Sequence, residues 1–368
     1  MVMFPDFYRE IHCLLGLPLD ALNLASAIQS VRSAAEIRSP YFLSTPNLNF
    51  LILSLSDNSF RNSVINSDLS LADGMPLVWT ARLLGIPIRE RVAGSDLFEQ
   101  LSAETSSRLS VYFFGGMEGV AEDACQRLNA ESSGLVCVGF ESPGFASIQE
   151  MSSEESIEKI NTSGADFLVV SLGARKGQAW IEFNRARISI PVISHLGAVI
   201  NFVAGRIGRA PFWIRRTGLE WLWRIKEEPG LLRRYASDGL VFLRLMVTRV
   251  LPYVWFMYRY KPSNQELDSA VIESFEEGGV IIIRLRGAWV QDNLGPLRDC
   301  LSSQTYSGRD VLVELEQVTY VDSAFIGILI LLYGDLTRQG KHLSVGNLKK
   351  KVRKIFRYAC AEFLLETR

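Results

Sequence analysis

The sequence predicts an α/β protein whose larger part is a Rossmann-like, doubly wound, mostly parallel sheet. Three observations lead to this prediction. Short apolar runs alternate with helical patterns over residues 1–205, a basic and apolar segment follows over 206–262, and a second, shorter alternation occupies 263–368. A chain of 368 residues is long enough for two or three domains. Its charge of −1 and its apolar content of 48% are typical of a globular protein rather than a disordered one.

Six apolar runs in the first part have the length and composition of buried strands. Helical patterns lie between them, for example over 119–131 and 178–188. This alternation favours a parallel sheet with helices on both faces. Several runs end in glycine, which lets a ligand approach the backbone at the carboxyl ends of the strands. The six predicted strands are YFLST (41–45), LSLA (69–72), LSVYFFGG (109–116), LVCVGF (135–140), DFLVVSLG (166–173) and PVISHLG (191–197).

The segment 206–262 is predicted to be a basic helical appendage that associates with a membrane. Within 206–261, twelve Lys and Arg residues stand against four Asp and Glu residues, so its partner should be anionic. The most apolar stretch, 236–260, is interrupted by two arginines and a proline, and no run of about 18 uncharged apolar residues is left to span a bilayer. We expect this stretch to lie in the membrane interface. The alternative is a core helical hairpin packed on the sheet.

The last part, residues 263–368, is predicted to be a small α/β domain after a linker at 261–269. About one hundred residues is a typical size for a domain. Strands are predicted at GGVIIIRLRGAW, DVLVELEQVTY and HLSVGN, and helices at DNLGPLRDCLSSQ, SAFIGILILLYGDLTRQG and LKKKVRKIFRYA.

The cysteines and the N-terminus indicate a protein of the reducing cytosol. The five cysteines are scattered without a C-x-x-C pair, so we expect neither a zinc site nor a disulfide framework. The first residues lack the basic and apolar regions of a signal peptide.

The stretch LADGMPLVW (71–79) places Asp73 and Gly74 between two apolar runs. It reads as a buried strand that ends, turns at the glycine and continues as a helix. A carboxylate at such a junction is either a reactive group or a turn residue that caps the following helix. The local sequence leaves both interpretations open.

An ordered set of motifs over roughly residues 14–250 resembles the WecG/TagA/CpsF family, which is glycosyltransferase family 26. Members transfer a sugar, with inversion, from a UDP-sugar to a lipid-diphosphate-linked acceptor in exopolysaccharide or cell-envelope synthesis. The motifs are LGLPLDAL (14–21), STPN (44–47), LADGMPLVWTARLLG (71–85), ERVAGSD (90–96), FFGG (113–116), SLGARKGQAW (171–180) and GRIGRAPFWIRRTGLEWLWRIKEEP (205–229).

The resemblance implies roles for individual residues. Asp73 matches the proposed catalytic base, which takes the proton of the acceptor hydroxyl. Thr45 and Asn47 match a donor-binding T-x-N element, although a turn after a strand is the alternative. The remaining candidates for donor binding are Arg91, Ser95, Asp96, Gly115, Gly116, Gly173 and Lys176, with helix capping an equal alternative for Ser95 and Asp96.

The leaving diphosphate is expected to be held by arginines. The chain has no Asp-x-Asp motif, so we expect no metal and no cofactor, and arginine binds phosphate groups well. The candidates are Arg209, Arg215, Arg216 and Arg224. A solvated or lipid-facing position is the alternative for each of them.

One motif departs from the family pattern. Where the family reads G-L-G-x-P-K-Q-E, this chain keeps Lys176 but has Arg175, Gly177 and Gln178 at the Pro, Gln and Glu positions. The family glutamine lies near the active site, so its replacement by Gly177 affects the expected donor contacts. His195, at a strand end, is expected to be a structural residue.

The stretch LEQVTYVDSAFIGILILL (315–332) resembles the STAS domain of anti-sigma-factor antagonists and sulfate transporters. In that domain an Asp-Ser pair begins a helix, and the serine can be phosphorylated; here the pair is Asp322 and Ser323, followed by Ala324 instead of the usual glycine. Exposure of Ser323 at a helix N-terminus would suit a phosphosite. Helix capping is the alternative, and we expect the domain to bind a partner protein or the chain's own basic segment.

These features predict a glycosyltransferase that is peripheral on the cytosolic face of the cell membrane. Its partners would be a UDP-sugar donor, a lipid-diphosphate-linked saccharide acceptor and a protein that binds the STAS domain, which regulates or docks the enzyme. The alternative is a catalytically impaired, transferase-derived scaffold that recruits partners through that domain. No nucleic-acid partner is expected, because the basic residues are interleaved with apolar surface.

Overall fold

A six-stranded parallel sheet forms the centre of the first domain, in the order β4-β3-β8-β7-β5-β6. The computed structural model describes residues 5–105, 107–303 and 306–366, without the side chains of Phe212 and Arg216. All six predicted strands are present, and the α/β prediction is confirmed. The strands are β3 (Tyr41–Ser44), β4 (Leu69–Ser70), β5 (Leu109–Gly115), β6 (Leu135–Glu141), β7 (Phe167–Ser171) and β8 (Val192–His195), numbered after an N-terminal hairpin of β1 (Ile11–Leu14) and β2 (Leu17–Asp20).

The central strands are apolar along their whole length because both faces of the sheet are covered. In β7, Phe167 and Val169 enter one core and Leu168 and Val170 enter the other. The helices that cover the sheet are α1 (Leu24–Glu36), α2 (Leu48–Ser56), α3 (Asn58–Ile65), α4 (Met75–Leu83), α5 (Gly94–Ala103), α6 (Val120–Glu131), α7 (Glu154–Thr162), α8 (Ala174–Asn184) and α9 (Val199–Val203).

The strand order brings four loops to one edge of the sheet. The chain runs outward from β3 to β4, crosses to β5 and β6, and returns through β7 to β8 beside β3. The carboxyl ends of β3, β4, β7 and β8 therefore meet at one edge, which is where ligands bind in open α/β sheets.

The N-terminal hairpin was not predicted. Its two strands are only four residues each, and Leu15 and Gly16 turn the chain with φ values of 49° and 89°. Two consecutive positive φ angles are those of the tight hairpin turn that matches the twist of the strands. Such short strands carry too little periodicity to be recognised.

The appendage is helical, as predicted. A π-helical turn at Met246–Val250 joins two of its helices directly, because Pro252 provides no backbone N–H for the preceding turn. A continuous helix therefore replaces the hairpin that was the alternative prediction. The helices are α10 (Phe212–Thr217), α11 (Glu220–Glu227), α12 (Leu232–Leu245) and α13 (Leu251–Arg259).

The helix over Pro229–Arg259 is long and apolar enough to cross a membrane by length and composition alone. The sequence analysis expected that Arg244 and Arg249 would leave no stretch able to span a bilayer. The helix nevertheless meets the requirement of length and hydropathy with these two arginines included. Only 22% of the most apolar stretch of this helix is buried in the protein.

The second domain contains a four-stranded mixed sheet in the order β12-β11-β10-β9. The predicted strands and helices are present. β9 was missed because its residues, VIESFEE, alternate with charges on an exposed edge, and the predicted linker contains a short helix. The elements are α14 (Asn264–Asp268), β9 (Val271–Glu277), β10 (Val280–Trp289), α15 (Gly295–Ser302), β11 (Asp310–Val321), α16 (Ser323–Arg338), β12 (Leu343–Gly346) and α17 (Lys350–Tyr358).

The two domains share one continuous hydrophobic core. Helix α16 is buried along almost all of its length, because the N-terminal hairpin covers the side that faces away from its own sheet. Gly327 makes this close approach possible, since a Cβ atom there would lie 2.9 Å from the carbonyl oxygen of Ile11. Phe7 packs edge-on against Tyr306 with ring centroids 6.2 Å apart.

One disulfide corrects the cysteine prediction. Cys125 on α6 is bonded to Cys137 on β6. The pair is 12 residues apart in sequence, and the fold packs this helix against the next strand, which spacing alone does not reveal.

Candidate active site

A cavity of about 630 Å³ opens where the carboxyl ends of the four strands meet. Its walls come from the loops after β3, β4, β7 and β8, and from α9 and α11. Helix α12 forms its roof, with Tyr235, Asp238 and Phe242 on the face toward the cavity. The predicted residues that line it are Thr45, Asn47, Asp73, Arg91, Ser95, Gly173, Arg215 and Arg224.

Asp73 is presented to the cavity by a tight turn. Its N–H donates to the carbonyl oxygen of Pro46 at 2.8 Å, and Gly74 has a φ of 145° that other residues rarely adopt. Helix α4 begins at Met75 without a side-chain cap. The alternative in which Asp73 caps this helix is therefore wrong, and its carboxylate is available to a ligand.

The environment of Asp73 raises its pKa to about 7. Burial is the main cause, because the charged form loses contact with water. Arg91 and a hydrogen bond from the backbone N–H of Gly94 lower the pKa, whereas Glu220 and Asp96 raise it. A carboxylate whose pKa lies near the working pH is suited to take a proton in a reaction.

Arg91 is held beside this carboxylate by two acids. It forms an ion pair with Asp96 at 2.5 Å and another with Glu220, whose side chain lines the cavity. Burial alone would lower the pKa of Arg91, but Asp73, Asp96 and Glu220 raise it above its usual value. The cation is therefore fixed at the cavity wall.

Asp96 organises the arginines and does not line the cavity. Besides Arg91 it pairs with Arg209 at 2.5 Å and with Arg215 at 2.9 Å. Burial raises the pKa of Asp96, but these cations lower it further, so the pKa lies below its usual value. Asp96 was predicted to contact the donor or to cap a helix, but α5 has no side-chain cap and Asp96 is not among the residues that line the cavity. Its observed role, the positioning of cations, was not predicted.

The four arginines predicted for the diphosphate are placed differently. Arg215 and Arg224 line the main cavity, and Arg224 also pairs with Glu228 at 2.7 Å. Arg209 lies in an adjoining cavity of about 420 Å³, where it donates to Ser95 Oγ at 3.1 Å. The side chain of Arg216 lies outside the described residues.

Asn47, which was predicted to bind the donor, caps a helix and also lines the cavity. Its side chain accepts from the N–H of Phe50 at 3.2 Å and caps α2, and the residue also lines the cavity. Thr45 lies beside Gly94: a Cβ atom added to Gly94 would lie 3.2 Å from the hydroxyl oxygen of Thr45. Gly173 precedes α8 as its N-cap, at the cavity wall.

Three residues predicted for donor binding lie away from the described cavity walls. Gly115 and Gly116 have φ values of 110° and 82°, and a Cβ atom on Gly115 would lie 2.5 Å from the carbonyl oxygen of Ser171. Gly115 is therefore explained by its close approach to the neighbouring parallel strand β7, whereas a Cβ atom on Gly116 would lie 3.2 Å from the side chain of Ile200 on α9. Lys176 donates to the carbonyl oxygen of Ala146 at 2.6 Å.

The departure from the family motif at Gly177 makes room for His195. A Cβ atom on Gly177 would lie 2.1 Å from the imidazole ring, so no larger residue fits without a shift of that ring. His195 Nε2 lies 2.7 Å from the carbonyl oxygen of Leu172, and burial lowers the pKa of the imidazole. His195 therefore has a structural role, as predicted, and also forms part of the cavity wall.

Sequence reasoning missed the acids and aromatic residues that surround the cavity. Glu220 and Trp221 belong to the motif GLEWLW and line the cavity, although only the following Arg224 was predicted to bind a ligand. Asp238 is buried in the roof and accepts from Asn49 Nδ2 at 3.1 Å. One buried acid on an apolar helix is a signal that could have identified the roof.

The candidate phosphosite, Ser323, is not exposed as predicted. The residue is half-buried, and its hydroxyl oxygen lies 3.0 Å from His12 Nδ1 of the N-terminal hairpin. Burial, together with Arg298, lowers the pKa of His12 to about 4, so this imidazole is neutral. Asp322 caps α16 by accepting from the N–H of Phe325, which is the alternative that the sequence allowed.

The site combines a carboxylate with a raised pKa, arginines held by ion pairs, and aromatic side chains in the cavity wall. Such a site can bind a sugar against aromatic surface, remove a proton and stabilise an anionic leaving group. Among the described residues, no group of three or more His, Cys, Asp or Glu side chains is arranged to hold a metal ion.

Comparison with known proteins gives two family matches. Residues 12–253 match the Glycosyl transferase WecG/TagA/CpsF family, and residues 275–366 match the Mlab, STAS domain family. The first match covers well over half of the chain.

Two similar proteins come from Bacillus, and each is described as an N-acetylglucosaminyldiphosphoundecaprenol N-acetyl-beta-D-mannosaminyltransferase. The protein of Bacillus spizizenii strain W23 is 27% identical over 197 residues, which are 53% of this chain and 75% of that protein. The protein of Bacillus subtilis strain 168 is 24% identical over 196 residues, again 53% and 75%.

Proposed function

Because the chain belongs to the WecG/TagA/CpsF family of glycosyltransferases, we propose that it transfers a sugar from a UDP-sugar to a lipid-diphosphate-linked saccharide. The observation that carries the proposal is the position of Asp73, a carboxylate with a pKa of about 7 in a cavity lined by arginines. This is the environment expected of a general base next to a developing anion.

The reaction is a single displacement at the anomeric carbon. The acceptor hydroxyl gives its proton to the Asp73 carboxylate as its oxygen bonds to the anomeric carbon. The bond between that carbon and the UDP oxygen breaks, and UDP leaves with the electron pair. Attack from the face opposite UDP inverts the configuration of the donor sugar.

The leaving diphosphate is stabilised by the arginines at the cavity. Arg91 is fixed by two acids, and Arg215 and Arg224 approach from the appendage. Fixed cations at the point where negative charge develops cost no reorganisation during the reaction. Guanidinium groups also bind phosphate oxygens through two parallel hydrogen bonds.

The roof helix brings the cavity to a lipid surface. The outer side of α12, of the π-helical turn and of α13 carries exposed apolar residues at helical spacing, Leu240, Leu243, Val247, Leu251, Trp255 and Tyr258. Basic residues flank them, so the helix has the character of a segment that lies in the interface of an anionic membrane. We place it on the cytosolic leaflet, where a UDP-sugar is available.

The relatives indicate which substrates to test first. Their names describe an undecaprenyl diphosphate that carries N-acetylglucosamine as acceptor and N-acetylmannosamine as the transferred sugar. For this chain we propose the same class of acceptor, with a donor to be found among UDP-N-acetylmannosamine, its uronic acid and UDP-glucose. The STAS domain regulates or docks the enzyme.

The proposal is tested by UDP release from this panel of donors. Purified protein is incubated with each donor and with a short-chain lipid-diphosphate N-acetylglucosamine acceptor. UDP release that requires the acceptor, together with a glycosylated lipid of the expected mass, supports the transferase. Donor binding without release for every donor would instead favour the transferase-derived scaffold.

A further inference from the structure

The roof of the cavity is one end of a longer helical unit. Helix α12 lies over the cavity, and the π-helical turn at Met246–Val250 continues it into α13 without a loop. We refer to α12, this turn and α13 together as the roof unit. Because no loop separates its two helices, contacts that hold α13 also restrain the orientation of α12.

Among the described residues of α12, only Asp238 and Leu245 are buried. Asn49 donates to Asp238 at 3.1 Å, Leu245 packs in the shared hydrophobic core, and Thr80 Oγ1 lies 3.9 Å from the sulfur of Met246 in the turn after α12. The opposite side is exposed, as the 71% exposed side chain of Leu240 illustrates. These contacts alone make a small anchor for a helix of 14 residues.

The second domain holds α13 through its last helix. Tyr253 is buried against Tyr358 with the rings nearly parallel and their centroids 5.9 Å apart, and Phe256 packs edge-on against the same ring. Arg249 pairs with Glu362 at 2.7 Å and also donates to the carbonyl oxygen of Arg357. These contacts join the roof unit to the α17 end of the STAS domain.

The other side of the STAS domain is fixed to the catalytic domain. Helix α16 packs on the N-terminal hairpin, with Gly327 against Ile11 and the hydroxyl of Ser323 beside His12. The STAS domain therefore contacts the catalytic domain through α16 and the roof unit through α17. A rigid domain attached at both places restrains the roof unit relative to the catalytic domain.

We propose that the STAS domain is an intramolecular brace that holds the roof helix closed over the catalytic cavity. Tyr358 and Glu362 are positioning residues: they act on the substrates through α13 and α12. The inference rests on the proposed function for its kinetic consequence, which is tighter binding of the acceptor.

The experiment compares the full-length chain with Tyr358→Ala and with Tyr358→Phe, which keeps the ring. Hydrogen–deuterium exchange is measured over 232–245, and KM for the lipid-linked acceptor and kcat are measured by UDP release. For Tyr358→Ala we expect about threefold to tenfold faster exchange in α12 and a similar rise in KM, the scale of losing an aromatic pair. We expect kcat at saturation to change less than about twofold, as for loss of binding that is equal in ground and transition states, and Tyr358→Phe to behave like wild type.

A second pair of variants removes only a surface charge. Glu362→Gln breaks the ion pair with Arg249, whereas Glu314→Gln breaks one with Arg284 at the same distance of 2.7 Å on the sheet of the STAS domain. Only the first should raise exchange in α12, and this comparison decides the matter if Tyr358→Ala does not fold.

Unchanged exchange in α12 for Glu362→Gln and for a folded Tyr358→Ala would overturn the brace. The exchange measurement needs no turnover, so it still decides the brace if wild-type protein releases no UDP with any donor. That second result would overturn the proposed function instead.

Discussion

At the scale of single residues, the proposed reaction depends on the charge state of Asp73. The turn at Gly74 fixes its position, and burial opposed by Arg91 brings its pKa to about 7. An aspartate with an ordinary pKa would be ionised at pH 7 but would be a much weaker base. The fold thus exchanges some stability for basicity, as is usual at active sites.

The pH dependence of the reaction should follow this carboxylate. A general base acts only when it is deprotonated, so kcat/KM should rise with pH through an acid limb near pH 7 and then level off. The measurement is initial-rate UDP release between pH 5 and pH 9. A limb near pH 4 would mean that burial does not raise the pKa of the catalytic group.

Stability should change with pH in the opposite sense. The folded-state pKa of about 7 lies above the unfolded value, so the folded protein holds an extra proton between about pH 4 and pH 7. The contribution of Asp73 to stability therefore falls as the pH rises through this window.

Asp73→Asn should remove this penalty. We expect a higher Tm than wild type at pH 8 and a smaller gain at pH 5, with roughly 1–2 °C for each kcal/mol in a chain of this size. Asp123→Asn, which breaks an ion pair with Arg206, is the control and should change Tm by a similar small amount at both pH values. An equal gain for Asp73→Asn at both values would contradict the raised pKa.

At the scale of elements, the sequence was most informative where each element follows from its own residues. The six strands of the main sheet and the elements of the STAS domain except α14 and β9 were predicted from apolar runs and helical spacing. The hairpin was missed because its strands are short, and the roof was missed because its position depends on tertiary packing. Periodicity shows that α12 has an apolar side, but not which partner covers which side.

The outer side of the roof unit is proposed to contact lipid. Trp255 on α13 is 66% exposed on this side, and Trp255→Glu places a charge there. We expect binding to vesicles of anionic phospholipid to weaken by roughly tenfold or more, as for the loss of one buried aromatic side chain.

Ile37→Glu is the matched control for this prediction. Ile37 is 74% exposed and follows α1 at the amino-terminal edge of the sheet, away from the strand ends that form the cavity. Vesicle sedimentation should show binding like that of wild type. Equal binding by Trp255→Glu and wild type would contradict the membrane-facing role of the roof.

At the scale of the whole molecule, the two domains do not behave as a transferase with a loosely tethered module. The N-terminal hairpin lies between them, and α16 is buried from both sides. The family resemblances identified each domain separately. Neither resemblance indicates that the N-terminal hairpin covers the surface containing Ser323. This packing depends on a contact between His12 and Ser323, which are more than 300 positions apart in sequence.

Unfolding should therefore be cooperative across the two domains. Gly327→Ala forces a Cβ atom against the backbone of Ile11 and should destabilise the chain by about 1–3 kcal/mol. In calorimetry we expect one transition that moves to lower temperature as a whole. Gly295→Ala, at a helical glycine with open space around it, should leave Tm nearly unchanged.

Two transitions, of which only one moves in Gly327→Ala, would show that the domains unfold independently. The shared core would then contribute little to the stability of either.

The most direct test of the central claim is the rate of acceptor-dependent UDP release by Asp73→Asn beside wild type. The substitution keeps the size of the side chain and removes the base. We predict that kcat falls by at least about a hundredfold, the scale of a lost general base, while donor binding is retained. A variant that releases UDP within about twofold of the wild-type rate would contradict the assignment, because the carboxylate would then play no part in the proton transfer.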